Sequence, residues 1–207
     1  MYLGALSTHL MLDSCPHCGR AKPTLVLACN WIESKSHDGS DWRFWGIYSC
    51  TTCGGIVTAG GPTAGGDARD TLIFEIYPSI PTISDSIPEK PREFLRQAQS
   101  SLHTPAGAIM LSASAVDAML KEKGYVDDSL HDRIDKAAKD HLITDEMAKW
   151  AHQIRLDANE QRHADKDVGL PTNEDGKLTF NFAMAFAEYL FVLPSRVTHG
   201  IADATAS

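Results

Sequence analysis

The sequence predicts an α+β protein: a small N-terminal β module followed by a C-terminal bundle of four or five helices. Three observations predict it. Residues 1–80 hold all five cysteines, three of the four tryptophans and ten of the fifteen glycines of the 207-residue chain. Within that span, runs rich in β-branched and aromatic residues alternate with turn-forming residues. From about residue 90 the spacing of apolar residues lengthens to that of a helix. A composition of 43% hydrophobic and 22% charged residues excludes a mainly disordered, collagen-like or mucin-like chain.

The elements follow in order. Strands are predicted over Thr24–Cys29, Trp42–Ser49 and Thr71–Tyr77, separated by turn formers at Ser34–Ser40 and in the glycine-rich Ala59–Asp67. Residues 78–91 carry four prolines with many Ser and Thr, as in a linker. Pro91 suits the first turn of a helix continuing over Glu93–Ser101. Pro105–Lys123 is an Ala/Leu/Met helix that stops at Gly124. Asp128 or Ser129 caps the next, Leu130–His141. A fourth helix starts near Thr144, with Asp145 and Glu146 in its first turn, and runs to about Ala164. Asp165–Lys177 is polar and predicted to be a loop, and Leu178–Thr198 is the last helix. The domain boundaries expected are residues 1–80 for the β module, 81–90 for a linker, 91–199 for the helical domain and 200–207 for a flexible tail.

No membrane span is expected. The most apolar stretch, Phe180–Leu193, is too short for the roughly 20 apolar residues a span needs, and it contains Asn181 and Glu188. The N-terminal MYLGALSTHLMLDS lacks a basic residue before its apolar part, as a signal peptide would have. A cytoplasmic location is therefore expected, where thiols stay reduced. The net charge of −8 and pI of about 5.5 exclude a strongly basic nucleic-acid coat.

The strongest motif is Cys15-Pro-His-Cys18-Gly paired with Cys50-Thr-Thr-Cys53-Gly-Gly, 31 residues apart. Each pair can grip a metal from a tight turn, and the following glycine lets the backbone fold round the sulfurs. Two such knuckles on neighbouring hairpins predict a zinc ribbon, with one Zn²⁺ per chain held by Cys15, Cys18, Cys50 and Cys53. Four thiolates leave no position for a substrate water, so the zinc is expected to be structural. Two disulfides and a redox pair are the alternatives. His17 is surplus to a site already saturated, and Cys29 is expected to be a small buried apolar residue. Trp42, Phe44, Trp45 and Tyr48 are expected to pack the ribbon or dock it on the helical domain, with stacking on nucleic-acid bases as the alternative.

The second signal is Arg155-Leu-Asp-Ala-Asn159-Glu-Gln-Arg-His163. At about 100° per residue, positions 155, 159 and 163 lie one turn apart and form a slowly drifting polar stripe, which His152 extends. Met147, Trp150, Ile154 and Ala158 form another stripe, expected to face the core.

Here the chain resembles the domain of unknown function family 4145, a helical family related to the HEPN superfamily. The resembling residues are Leu130-His-Asp-Arg-Ile-Asp-Lys, Leu142-Ile-Thr-Asp-Glu-Met and Ile154-Arg-Leu-Asp-Ala-Asn-Glu-Gln-Arg-His-Ala-Asp165. The resemblance spans about residues 81–199 and implies a HEPN-like bundle, often preceded by a four-cysteine zinc ribbon. HEPN proteins are commonly dimers, and many are metal-independent ribonucleases. Their Arg-polar-x-x-x-His motif faces its mate across the dimer, and the RNA 2′-hydroxyl attacks the scissile phosphate. Carried onto this chain, Arg155, Asn159 and His163 are the candidate catalytic residues. Arginine would neutralise phosphoryl charge, histidine would move a proton, and asparagine would orient either partner. Asn159-x-x-x-His163 matches the second half of that motif, but Ala158 stands where its arginine would be. The expected function is an intracellular module that binds RNA or a protein partner in prokaryotic defence or nucleic-acid processing. The alternatives are a metal-independent endoribonuclease and a purely structural adaptor.

The last helix has two apolar stripes: Phe182, Phe186, Tyr189 and Leu193, and Phe180, Met184, Ala187 and Phe191. Such a helix must be covered on most sides, so a homodimer through the C-terminal helices is expected, with a monomer as the alternative. No glycine-rich phosphate loop accompanies it, since Gly54–Gly61 lacks the required lysine. Residues 81–207 carry 14 Lys+Arg against 20 Asp+Glu, so any RNA contact needs a focused patch.

Overall fold

The computed structural model describes residues 4–63, 66–80, 82–163 and 169–205. It divides into two compact units, Met1–Pro81 and Thr82–Ser207.

The first unit is one antiparallel sheet of six strands: β1 (His9–Leu10), β2 (Leu25–Leu27), β3 (Ile32–Lys35), β4 (Trp42–Cys50), β5 (Ile56–Pro62) and β6 (Glu75–Tyr77). The long β4 organises it. β5 lines one edge, while β2 and β3 divide the other between them. In β4 the alternate residues Gly46, Tyr48 and Cys50 are buried, the period of two that a one-sided sheet imposes. Tyr48 is fully buried among Leu6, Leu10, Leu25 and Val57, and its hydroxyl donates to the Ser7 carbonyl at 3.0 Å.

The strands differ from expectation where glycine misleads. β5 occupies part of the run predicted as turn. A Cβ on Gly60 would come within 2.4 Å of the Phe44 carbonyl, and one on Gly61 within 2.1 Å of the Leu72 carbonyl. Those glycines therefore mark close backbone approach inside a sheet, not a loop. Ser34 and Lys35 likewise belong to β3. The strand expected over Thr24–Cys29 shrinks to β2, and Cys29 beyond it is exposed, not buried. The Thr71–Tyr77 strand shortens to β6.

The second unit contains α1 (Glu89–Ser100), α2 (Pro105–Glu122), α3 (Leu130–Lys139), α4 (Asp145–His163) and α5 (Asn173–Ala187). A π turn over Glu188–Val192 joins α5 to α6 (Leu193–Thr205), making one continuous rod. α2 packs against α1, α4 and α5. Its small residues Ala108, Ala115 and Ala118 allow close approach, and Ile109, Val116 and Met119 fill the core. α3 starts at Ser129, whose hydroxyl and the Asp132 carboxylate form a reciprocal capping box. Thr144 caps α4 by accepting from the Met147 N–H at 3.2 Å.

Three boundaries move. α1 begins at Glu89, before Pro91, and Ile87 just ahead of it is buried. The expected linker is therefore partly packed into the helical core. α5 begins at Asn173, inside the predicted loop, because Thr172 and Asp175 form a second capping box. The last helix continues past Gly200 to Thr205, so most of the expected tail is helical. Ile154 and Ala158 face the core as predicted, but Trp150 is 47% exposed with one face on Phe182. The segment Asn173–Ala202 is long and apolar enough to cross a membrane, yet 44% of its most apolar 18-residue stretch is buried. Phe180, Phe182, Phe186 and Leu190 spend their apolar surface on the domain core.

Candidate metal centre and cationic cleft

Both C-x-x-C pairs fold into the same turn. The Gly19 N–H donates to the Cys15 carbonyl at 2.9 Å, and the Gly54 N–H donates to the Cys50 carbonyl at 2.8 Å. Each turn is closed by a second bond, from the Cys15 N–H to the Arg20 carbonyl and from the Cys50 N–H to the Gly55 carbonyl. Gly19 and Gly54 have φ of +70° and +71°, the left-handed conformation that glycine adopts without steric cost. The two knuckles are near copies, one leaving the β1 side of the sheet and the other the β4–β5 hairpin.

They bring four sulfurs together. The ligand atoms of Cys15, Cys18, Cys50 and Cys53 all lie within 4.8 Å of one another, and Cys15 Sγ is 4.0 Å from Cys53 Sγ. All are free thiols. A disulfide needs about 2.05 Å between sulfurs, whereas sulfurs about 2.3 Å from one tetrahedral ion lie about 3.8 Å apart. The spacing fits a shared metal ion. The electrostatics agree. Burial pushes the Cys15 thiol up to about 12. At Cys50 burial also raises the thiol, but the backbone N–H groups of Cys53 and Thr52 outweigh it and bring it down to about 7. Such a site ionises fully only when a cation offsets the crowded negative charge.

The neighbours of the sulfurs have other tasks. His17 Nε2 donates to the Ile56 carbonyl at 2.7 Å, tying one knuckle to the strand that leaves the other. A Cβ on Gly55 would come within 2.5 Å of the His17 ring, which explains the second glycine of Cys-Gly-Gly. Trp45 donates from Nε1 to Ser34 Oγ and packs on Tyr77. The Lys35 ammonium lies 4.0 Å from the Trp42 ring. These aromatics are thus engaged within their own sheet.

In the helical unit the polar stripe divides. Arg155 and Asn159 line a cleft of about 380 Å³ together with Lys90, Asp117, Lys121, Arg133 and the buried Ala158. Among the described residues Asp117 is the one carboxylate lining it. It accepts from Arg133 at 2.5 Å and from Lys121 at 2.6 Å. Arg133 is also held by the Asp128 carbonyl, and its side chain is only 11% exposed. Arg155 differs in that among the described residues no ion pair engages it, while its Nε, like that of Arg133, is buried without a hydrogen-bond partner there. His152 turns away and bonds Asp135 on α3 at 2.8 Å. The His163 side chain lies outside the described residues, although its backbone completes α4.

Nothing in the sequence alone sets Lys90, Asp117, Lys121 and Arg133 apart. Arg133 follows Leu130-His-Asp, and its partner Asp117 lies 16 residues back on another helix. Only packing of α2 against α3 unites them.

The profile of a family described as "Domain of unknown function (DUF4145)" matches residues 96–204, just over half of the chain. The chain belongs to the DUF4145 family. The DUF4145 match runs from within α1 to the end of α6 and includes Asp117, Arg133, Arg155 and Asn159, while the four cysteines precede it. No curated protein and no solved structure matches the chain.

Proposed function

We propose that this DUF4145 protein is a cytoplasmic RNA-binding module whose HEPN-like helical unit takes a phosphate group in the Arg155 cleft. The proposal includes one structural Zn²⁺ held by Cys15, Cys18, Cys50 and Cys53. The carrying observation is the Arg155 guanidinium, without an ion-pair partner among the described residues, in a cleft where four of those residues are cations and one is a carboxylate. A planar guanidinium with an unused donor edge matches two phosphate oxygens at once. Lys90 adds a mobile charge, and Asn159, exposed one turn along α4, can bond a ribose or base edge. The overall charge of −8 confines attraction to this patch, which favours a few specific contacts over a nonspecific coat.

The zinc would fix the hairpin ends of a sheet with a small core and carry no chemistry of its own. A homodimer completes the proposal. Tyr189, Leu193, Val197 and Ile201 are 40–61% exposed along one rod, an apolar run suited to a second copy. Prokaryotic defence or RNA processing is the setting this reading favours.

A second reading is supported by Arg155 and Asn159 sharing one cleft and by the helical spacing of position 163, one turn further along α4. In it the protein is a metal-independent endoribonuclease. The test is fluorescence anisotropy with a short single-stranded RNA between 50 and 200 mM salt, with Arg155→Ala alongside. The proposal expects binding that weakens with salt and is lost in the variant. Equal binding by both folded proteins overturns it. RNA fragments ending in 2′,3′-cyclic phosphate, absent with His163→Ala, would establish the ribonuclease instead.

A further inference from the structure

We propose that His131, Asp135 and His152 form a second metal site, bridging α3 and α4, for a divalent first-row transition ion such as Zn²⁺. His131 and Asp135 are four residues apart on α3 and so share one face. His152 reaches that face from α4. Its Nε2 lies 2.8 Å from Asp135 Oδ1, and His131 Nδ1 lies 3.2 Å from Asp135 Oδ2. The three ligand atoms all lie within 4.8 Å of one another, and the two imidazole centroids are 4.7 Å apart.

The donor set and its setting point to a metal. Ligand atoms about 2.0–2.1 Å from one ion lie about 2.8–3.4 Å apart between right-angled and tetrahedral arrangements, and the two observed contacts fall within that range. Two imidazoles with one carboxylate suit Zn²⁺, Ni²⁺ or Fe²⁺, and disfavour Mg²⁺ and Ca²⁺, which want oxygen. The ring of His152 is the fixed member. Its side chain is 23% exposed, and its Nδ1 is buried with no partner, so Nε2 is the one nitrogen it can offer. His131 and Asp135 are each more than half exposed and can close on an ion without disturbing the core. Asp132, the other carboxylate near His131, is occupied in the Ser129 capping box. Three protein ligands leave at least one position open to water or an anion, unlike the closed four-thiolate site.

The inference stands apart from the RNA-binding proposal. Its test uses the full chain, purified with its cysteine site loaded, and titrated with Zn²⁺ and separately with Co²⁺. Calorimetry is expected to show one further equivalent of Zn²⁺ bound at micromolar concentration. Co²⁺ is expected to add weak visible bands without the sulfur charge-transfer absorption of a thiolate ligand. His131→Ala, which removes an exposed ligand, should weaken that second event by at least the roughly 10–100-fold that loss of an outer-shell partner costs. Asp135→Asn should weaken it as well, and unchanged far-ultraviolet circular dichroism would show both variants folded. Absence of a second equivalent up to 100 μM in the folded wild type overturns the site, leaving a hydrogen-bonded clamp. A second equivalent that survives both substitutions also overturns it, because the metal then sits elsewhere.

Discussion

Asp117→Asn is expected to move stability and ligand affinity in opposite directions. Asp117 balances Arg133 and Lys121 from a position three-quarters buried. Asparagine keeps the shape and one acceptor but removes the charge. Charge-assisted hydrogen bonds are worth about 1.5–3 kcal/mol, and Arg133 retains its bond to the Asp128 carbonyl, so the loss of stability should fall in that range. Affinity should rise. A carboxylate about 6 Å from a bound phosphate repels it by about 0.7 kcal/mol at an effective dielectric of 80 and about 2.8 kcal/mol at 20. Removing it predicts roughly 3-fold to 100-fold tighter RNA binding, read by anisotropy, while urea denaturation reads the stability. Tighter binding by a less stable protein would support the phosphate cleft. Unchanged or weaker binding by a folded variant would refute the placement of phosphate beside Asp117.

Removal of metal with a thiol-reactive mercurial and chelator should release one zinc per chain and unfold the sheet, leaving the helical circular dichroism largely intact because the helices form their own compact unit. Gly60→Ala should destabilise the sheet by about 1–3 kcal/mol, since the new methyl would meet the Phe44 carbonyl, and thermal melting would show it. Thr172→Ala should cost the helical unit about 1 kcal/mol by removing the α5 cap. The backbone N–H and hydroxyl of Thr172 hold the Asp175 carboxyl below its ordinary value, so that contribution is present at neutral pH and lost as pH falls through the lowered value. The gap between Thr172→Ala and wild type in urea should therefore narrow in acid. Leu193→Lys and Val197→Lys should convert a dimer to monomer by light scattering; a wild type that is monomeric at 100 μM would remove the homodimer from the proposal.

Features encoded in consecutive residues were legible in the sequence, and features created by packing were not. Cys15, Cys18, Cys50 and Cys53 could be grouped because the repeat of Cys-x-x-Cys-Gly specifies two like turns. Gly124 is legible as a helix stop and has φ of +95°. Gly60 and Gly61 read as turn residues because a glycine that frees a turn and one that admits a neighbouring carbonyl look alike in one dimension. The start of α5 is hidden in the sequence although Thr172-Asn-Glu-Asp175 is a capping box, because Asp takes the place of the usual Glu and the flanking polar residues mimic a loop. Arg155 and Asn159 were found from their spacing along one helix. That spacing could not reveal that His152 leaves the stripe for Asp135, or that Asp117 and Arg133 complete the cleft from α2 and α3.

The π turn at Glu188–Val192 works as a splice that takes up one extra residue in a single shaft. A wide turn holds one residue more than an α-turn, and each residue of an α-helix advances the side-chain direction by about 100°. The wide turn absorbs its extra residue within one revolution. The half of the rod that carries Phe180, Phe182 and Phe186 and the half that carries Leu193, Val197 and Ile201 therefore keep the relative bearing of an unbroken α-helix one residue shorter. Deleting one residue from this turn would restore the α-helical ladder of hydrogen bonds and leave that bearing largely unchanged. Deleting one elsewhere in the rod would instead swing the distal apolar run by about 100° away from the phenylalanine core.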